Sequence, residues 1–201
     1  KDRSFLNPWI GVEYLEKKYR KLTNVHLISQ IEDFNIGWQI NSRWGVSNGN
    51  NSKSAWVLWH ADISKGFSFN DESLLLLNIN LAGEIYKEGN NRLLTTINSE
   101  YFYRFSDTWG FYFNNANTFS DNQYLDTPVT NGGDTGLRGF PLQYQHGKNS
   151  IRFTSEVRYY PRLNVFKLFD VAGAAFIDSA RAFGNSSSNN NEFNAEQGWL
   201  Y

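Results

Sequence analysis

Residues 34–46 read Phe34-Asn35-Ile36-Gly37-Trp38-Gln39-Ile40-Asn41-Ser42-Arg43-Trp44-Gly45-Val46, and this stretch decides the fold class. Phe34, Ile36, Trp38, Ile40, Trp44 and Val46 share one parity, and Asn35, Gly37, Gln39, Asn41, Arg43 and Gly45 share the other. A period of two sends successive side chains to opposite faces of a strand, whereas a helix would scatter the same residues around its circumference. The stretch predicts one strand with an oily face and a wet face. It is longer than the ~5–6 residues of an average soluble strand and long enough for the ~9–11 that a tilted membrane strand needs.

The same alternation recurs on both sides. In residues 53–69, Ala55, Val57, Trp59, Ala61 and Ile63 oppose Ser54, His60, Asp62 and Ser64. In 73–87, Leu75, Leu77, Ile79, Leu81 and Ile85 oppose Asn78, Asn80 and Glu84, and in 92–106, Leu93, Ile97, Tyr101, Tyr103 and Phe105 oppose Thr96, Asn98, Glu100 and Arg104. Trp109, Phe111 and Phe113 begin a further strand, and Ile151, Phe153, Val157 and Tyr159 oppose Arg152, Thr154, Glu156 and Arg158. A last full strand covers 167–183, and 8–21 and 24–31 read as two more with weaker alternation, roughly nine in all. Short links at 32–33, 69–71 and 106–108 alternate with longer ones at 47–53, 87–91, 122–149 and 184–196. That rhythm predicts an antiparallel meander with short turns at one end and long loops at the other. The Asn/Ser tract 185–191 has nothing to bury and reads as a solvated loop.

Composition narrows the class. Charged residues make up 19% and aromatics 17%, an excess that girdles of Trp, Tyr and Phe at two membrane interfaces would explain. The mean hydropathy of −0.54 looks hydrophilic. No run approaches the ~18 apolar residues of a spanning helix, but strands that alternate lipid-facing and lumen-facing residues escape that criterion. A soluble sandwich or lipocalin-like barrel is the alternative, with shorter strands and less need for outward aromatics. The formal net charge of −1 offers no basic groove for nucleic acid. The absence of cysteine excludes disulfides, thiolate metal sites and cysteine nucleophiles. His26, His60 and His146 have no ligand spacing, so no metal is expected, and neither an enzyme activity nor a cofactor is expected. Asp71 and Glu72 read as solvated turn residues. Outward Trp38, Trp44, Trp59, Trp109, Tyr101 and Tyr103 would serve as interface anchors, with sugar binding the alternative.

The decisive motif lies between strands: Asn131-Gly132-Gly133-Asp134-Thr135-Gly136-Leu137-Arg138-Gly139-Phe140-Pro141. No helix follows it and no Lys-Ser/Thr pair completes a phosphate loop, so its glycines are read as permitting sharp turns and close packing. Leu137-Arg138-Gly139-Phe140 resembles the (Val/Ile/Leu)-Arg-Gly-(Phe/Tyr) motif of the outer-membrane assembly and secretion superfamily, the bacterial surface antigen barrels of the BamA, TamA and FhaC kind. Downstream, Ser155-Glu156-Val157-Arg158-Tyr159-Tyr160-Pro161 resembles that superfamily's Glu-x-Arg strand. Ala175-Phe176-Ile177-Asp178-Ser179-Ala180-Arg181 resembles its Phe-x-Asp-x-Gly strand, with Ala180 in place of the glycine. The resemblance covers about residues 132–183 in specific motifs and the other strands only in general character.

The resemblance implies that the loop folds back into the barrel and that Arg138 contacts Glu156 and Asp178 on the inner wall. Charge physics agrees with this. Glu156 lies on the wet parity with Arg152 and Arg158, and Asp178 interrupts an apolar stretch where a lipid-facing charge would be costly. A planar guanidinium fork is the natural counter-ion, the alternative being two carboxylates that simply face water in a pore. The expectation is therefore an all-β, antiparallel transmembrane β-barrel in the bacterial outer membrane. The resemblance implies that residues 1–201 are a single domain, part of a sixteen-stranded barrel without its POTRA domains and terminal strands. The resemblance places Lys1 near the fifth strand, the motif loop between the eleventh and twelfth, and residues 197–201 in the fourteenth. Its implied function is to assist insertion or translocation of polypeptides, with client polypeptide, outer-membrane lipid and lipopolysaccharide as partners and no nucleic acid. An anchor for a fused enzyme such as a patatin-like phospholipase, and a passive pore, are the alternatives.

Overall fold

A computed structural model describes residues 8–46, 55–124, 126–184 and 198–201, and the chain is all-β and antiparallel. Eight strands form the main sheet. In spatial order they are β1 (Trp9–Leu15), β4 (Gln39–Val46), β5 (Ala55–Phe67), β6 (Ser73–Tyr86), β7 (Arg92–Arg104), β8 (Trp109–Asp121), β11 (Asn149–Val165) and β12 (Phe169–Phe183). Two small hairpins complete the structure: β2 (Tyr19–Thr23) with β3 (Ile31–Asn35), and β9 (Val129–Asn131) with β10 (Gln145–Gly147). Among the described residues β1 and β12 are the two edges of the main sheet, so eight strands are seen and no closure. Beyond β12 a single antiparallel bridge joins Ala180 to Leu200.

The register puts like residues on like faces. Trp44 pairs with Trp59 and Ile40 with Ile63, and Ile63 then meets Ile79, which meets Ile97. That outer face also carries the exposed Trp109, Val157, Tyr159 and Ile177. Asp62 pairs with Asn80, Asn78 with Asn98, and Thr154 with Asp178 on the inner face. Trp59 lies flat across Gly83, where a Cβ would collide with the indole; an aromatic covering a strand glycine in this way pins register. Asn115 and Asn117 also lie on the outer face; their side-chain amides bond to each other at 2.6 Å, while Asn115 also donates to the Arg152 carbonyl at 3.1 Å. Two amides that satisfy one another cost far less in an apolar surround than one alone.

The opening stretch behaves differently from its pattern. Residues 34–46 do not make one strand: β3 ends at Asn35 and β4 starts at Gln39. Gly37 lies at the break, where Glu16 of the returning chain passes so close that a Cβ would overlap its carbonyl group. Phe34 and Ile36 turn inward there to pack on the inner face, and Trp38 and Trp44 stay exposed. The two weak strands are corrected accordingly. Residues 8–21 divide into β1 and the start of β2, and 24–31 is mostly the hairpin turn, with Asn24 and Ser29 at positive φ. The link expected at 32–33 falls inside β3, where Glu32 Oε1 accepts from the backbone N–H groups of Val25, His26 and Leu27 at 3.0–3.2 Å. The last strand starts at Phe169 rather than 167, because Phe166 and Lys167 are both left-handed and form the β11–β12 turn. The tract at 185–191 and the 47–53 link lie outside the described residues.

Candidate functional site

The β8–β11 connection folds onto the inner face. The β9–β10 pair forms its stem and a short 3-10 turn, Gly133–Thr135, its tip. Gly132 makes the tip possible: its N–H is bonded by Thr135 Oγ1 at 3.0 Å, its carbonyl accepts from Leu137 N at 3.0 Å, and a Cβ on it would lie 2.5 Å from Gln143 N. Gly136 and Gly139 sit at φ 93 and 85, where a side chain is strained. Leu137 is completely buried, which anchors the loop next to Arg138. Gly132→Ala is therefore expected to unseat the tip and raise proteolytic cutting within residues 132–144, with little change in strand content by circular dichroism.

Arg138 then spans two strands. Its Nε and Nη2 donate to Asp178 Oδ2 and Oδ1 at 2.7 and 2.8 Å, and its backbone N–H adds a third bond to Oδ2 at 3.2 Å. Nη1 donates to Glu156 Oε1 at 2.7 Å. Glu156 pairs across the ladder with Phe176, and Asp178 with Thr154, so the two carboxylates are diagonal neighbours on one face. Alone they would repel; a guanidinium between them removes the repulsion and fills their lone pairs. The Asp178 side chain is 3% exposed and that of Glu156 11%, against 40% for Arg138. Phe176 completes the seat, its ring centroid 3.4 Å from the guanidinium carbon. The bond to Asp178, followed by that to Glu156, raises the Arg138 pKa above its already high ordinary value, so the cation persists at every working pH.

The other motif residues take lesser parts. Phe140 packs on Tyr144, with ring centroids 5.3 Å apart, and Gly139 supplies only its turn. Ala180 is fully buried in an unbroken ladder, paired with Arg152 and bridged to Leu200. Arg158 Nε holds the other oxygen of Glu156 at 2.7 Å. Asp71 and Glu72 are not free in the turn: Asp71 pairs with Arg20 at 2.8 Å and Glu72 with Arg104. The Asp71 side chain is nevertheless 93% exposed, as expected of a solvated turn residue, and Glu72 is partly exposed.

One cluster escaped sequence reasoning. Glu84, nearly buried, accepts from Arg92 Nη1 at 2.5 Å, from Tyr86 Oη at 2.6 Å and from Tyr124 Oη. Arg92 also bonds Gln123 at 2.8 Å, so the start of the 122–148 connection is tied to β6 and β7. Glu84 and Arg92 do share a parity, but nothing in the spacing signals that Tyr124 reaches back to them. His26 sits 2.5 Å from Glu100 and His60 2.6 Å from Asp62, each in a pair with a carboxylate. No protein-family model, curated protein or solved structure matches this chain.

Proposed function

We propose that this chain is the later part of a sixteen-stranded transmembrane β-barrel of a Gram-negative outer membrane, and that the barrel assists polypeptides into or across that membrane. Arg138, clamped by Glu156 and Asp178, is the observation that carries this reading. It supports a loop held inside a lumen, because an inner wall with paired buried carboxylates aimed at one loop arginine is of no use to a simple diffusion pore. The outer face, rich in Trp, Ile and Leu, is suited to lipid and to the acyl region of lipopolysaccharide, with its aromatics as interface anchors. The short turns then face the periplasm and the long loops the cell exterior. The edges β1 and β12, the latter joined among the described residues only by the Ala180–Leu200 bridge, would pair with the remaining strands, since bare edges invite aggregation. The reaction is non-enzymatic and needs no cofactor.

The test is reconstitution of the full-length protein into liposomes with a urea-unfolded small outer-membrane barrel as client. Protected, heat-modifiable client should form faster than on empty liposomes, and Arg138→Ala should reduce the gain. Equal rates with and without the protein would overturn the assembly role. Phospholipid hydrolysis by the same preparation would instead favour the enzyme anchor.

A further inference from the structure

We propose that the β2–β3 hairpin is a displaceable plug across the short-turn mouth of the barrel, latched to the inner wall by Glu100, Arg158 and Tyr160. This rests on the barrel reading above. The hairpin leaves the main sheet at Gly37 and forms its own ladder; among the described residues it has no backbone ladder to the wall, although Ile36 lies against Gly66 of β5. It nevertheless lies on the inner face. Leu22 and Val25 are buried against Leu74 and Phe102, with Phe34, Ile36 and Leu76 packed around them. Leu74, Leu76 and Phe102 occupy the parity that elsewhere holds Asn78, Asn80, Asn98 and Glu100, so the wet wall carries an apolar seat where the hairpin rests.

The tip is gripped by side chains from distant strands. Arg158 Nη1 donates to the Val25 carbonyl at 2.5 Å and Tyr160 Oη to the Asn24 carbonyl at 2.8 Å, both from β11. His26 Nε2 meets Glu100 of β7 at 2.5 Å, and Arg20 meets Asp71 in the β5–β6 turn. An element attached at β1 and β4 thereby reaches β11, the far side of the described wall. Its attachment is a few polar contacts and a small apolar seat rather than a backbone ladder, which suits a part that must let go. Glu156 links this plug to the loop lock, because one of its oxygens holds Arg138 and the other holds Arg158.

The bond to Glu100 raises the His26 pKa above its ordinary value. The charged groups facing His26 are Glu32 from its own hairpin, Glu100 from β7 and Arg158 from β11, with Tyr112 of β8 bonded to Glu100. A raised folded-state pKa means this contact contributes fully below the ordinary imidazole pKa of about 6.5 and is lost as pH rises through the elevated value.

Full-length protein in planar bilayers tests the proposal. Val25→Asp puts an unpartnered carboxylate into the apolar seat, and His26→Glu adds a carboxylate beside Glu32 and Glu100. Each should raise open time about tenfold or more over wild type. Wild-type opening should increase with pH, and His26→Gln should flatten that rise. In a third variant, His26→Cys/Glu100→Cys, a short bis-methanethiosulfonate, which forms a disulfide with each thiol and releases methanesulfinate, should close the pore, and a reductant should reopen it. Heat-modifiable variants that conduct like wild type, with no response to the cross-linker, would overturn the plug and leave the barrel standing. Protein that neither shifts on heating nor conducts in any form would instead remove the barrel reading itself.

Discussion

Arg138→Ala is expected to release the loop at 132–144 and lower stability by about 3 kcal/mol, the lower end of what removing one partner of a buried ion pair costs. The loss falls unevenly on the two carboxylates. Glu156 keeps Arg158 at 2.7 Å, whereas Asp178, 3% exposed, loses three bonds to Arg138. Asp178 then keeps only its hydrogen bond with Thr154 and the more distant charge of Arg152, which makes it the costly half of the deletion. Arg138→Ala/Asp178→Asn should consequently be more stable than Arg138→Ala alone, while its loop stays free. Denaturation midpoints of the four proteins in a double-mutant cycle, with proteolysis of the loop alongside, check both statements.

Phe102→Ala should have a comparable effect at the β2–β3 hairpin. The ring is 1% exposed and packs with Leu74 under Val25 and Leu22. Truncating a buried phenylalanine costs about 3–5 kcal/mol through lost transfer energy and the cavity left behind. The strand itself should persist, because β7 keeps its ladders to β6 and β8. The hairpin has no ladder to the wall, so the damage should concentrate there. Protease cleavage within residues 24–30 should appear while the 132–144 loop remains protected, a pattern opposite to that of Arg138→Ala.

The sheet was legible wherever alternation and turn chemistry agreed. β5, β6 and β7 lie within two residues of their predicted bounds, since each alternates through its middle and is flanked by polar residues at both ends. The stretch at 34–46 shows where alternation misleads. Phe34 and Ile36 share parity with Trp44, yet they bury against the inner hairpin core and Trp44 faces outward, because parity fixes faces only while the strand stays unbroken. Gly37 was the available sign of a break, and a close chain approach cannot be read from one glycine. The β11–β12 turn hid for a related reason. Phe166 and Lys167 adopt the left-handed conformation usual for Gly or Asn, so nothing marked the strand end. In the site, Arg138, Glu156 and Asp178 were accessible through the motif resemblance, with the charge of Asp178 in an apolar stretch pointing the same way. The inward hairpin and the Glu84–Tyr124 contact were not, since both depend on which distant strands share a face.

The claim that Arg138 locks the loop to the wall is tested most directly by exchanging the charges in the full-length protein. Heat-modifiable gel migration and loop proteolysis are measured for wild type, Arg138→Asp, Asp178→Arg and the double exchange Arg138→Asp/Asp178→Arg. The account predicts a loosened loop and a lower melting midpoint for both single variants, with Arg138→Asp worst because it gathers three carboxylates. It also predicts recovery of most of the loss in the double exchange, where the new arginine can reach both Asp at 138 and Glu156. Single variants indistinguishable from wild type, or a double exchange no better than Arg138→Asp, would contradict it.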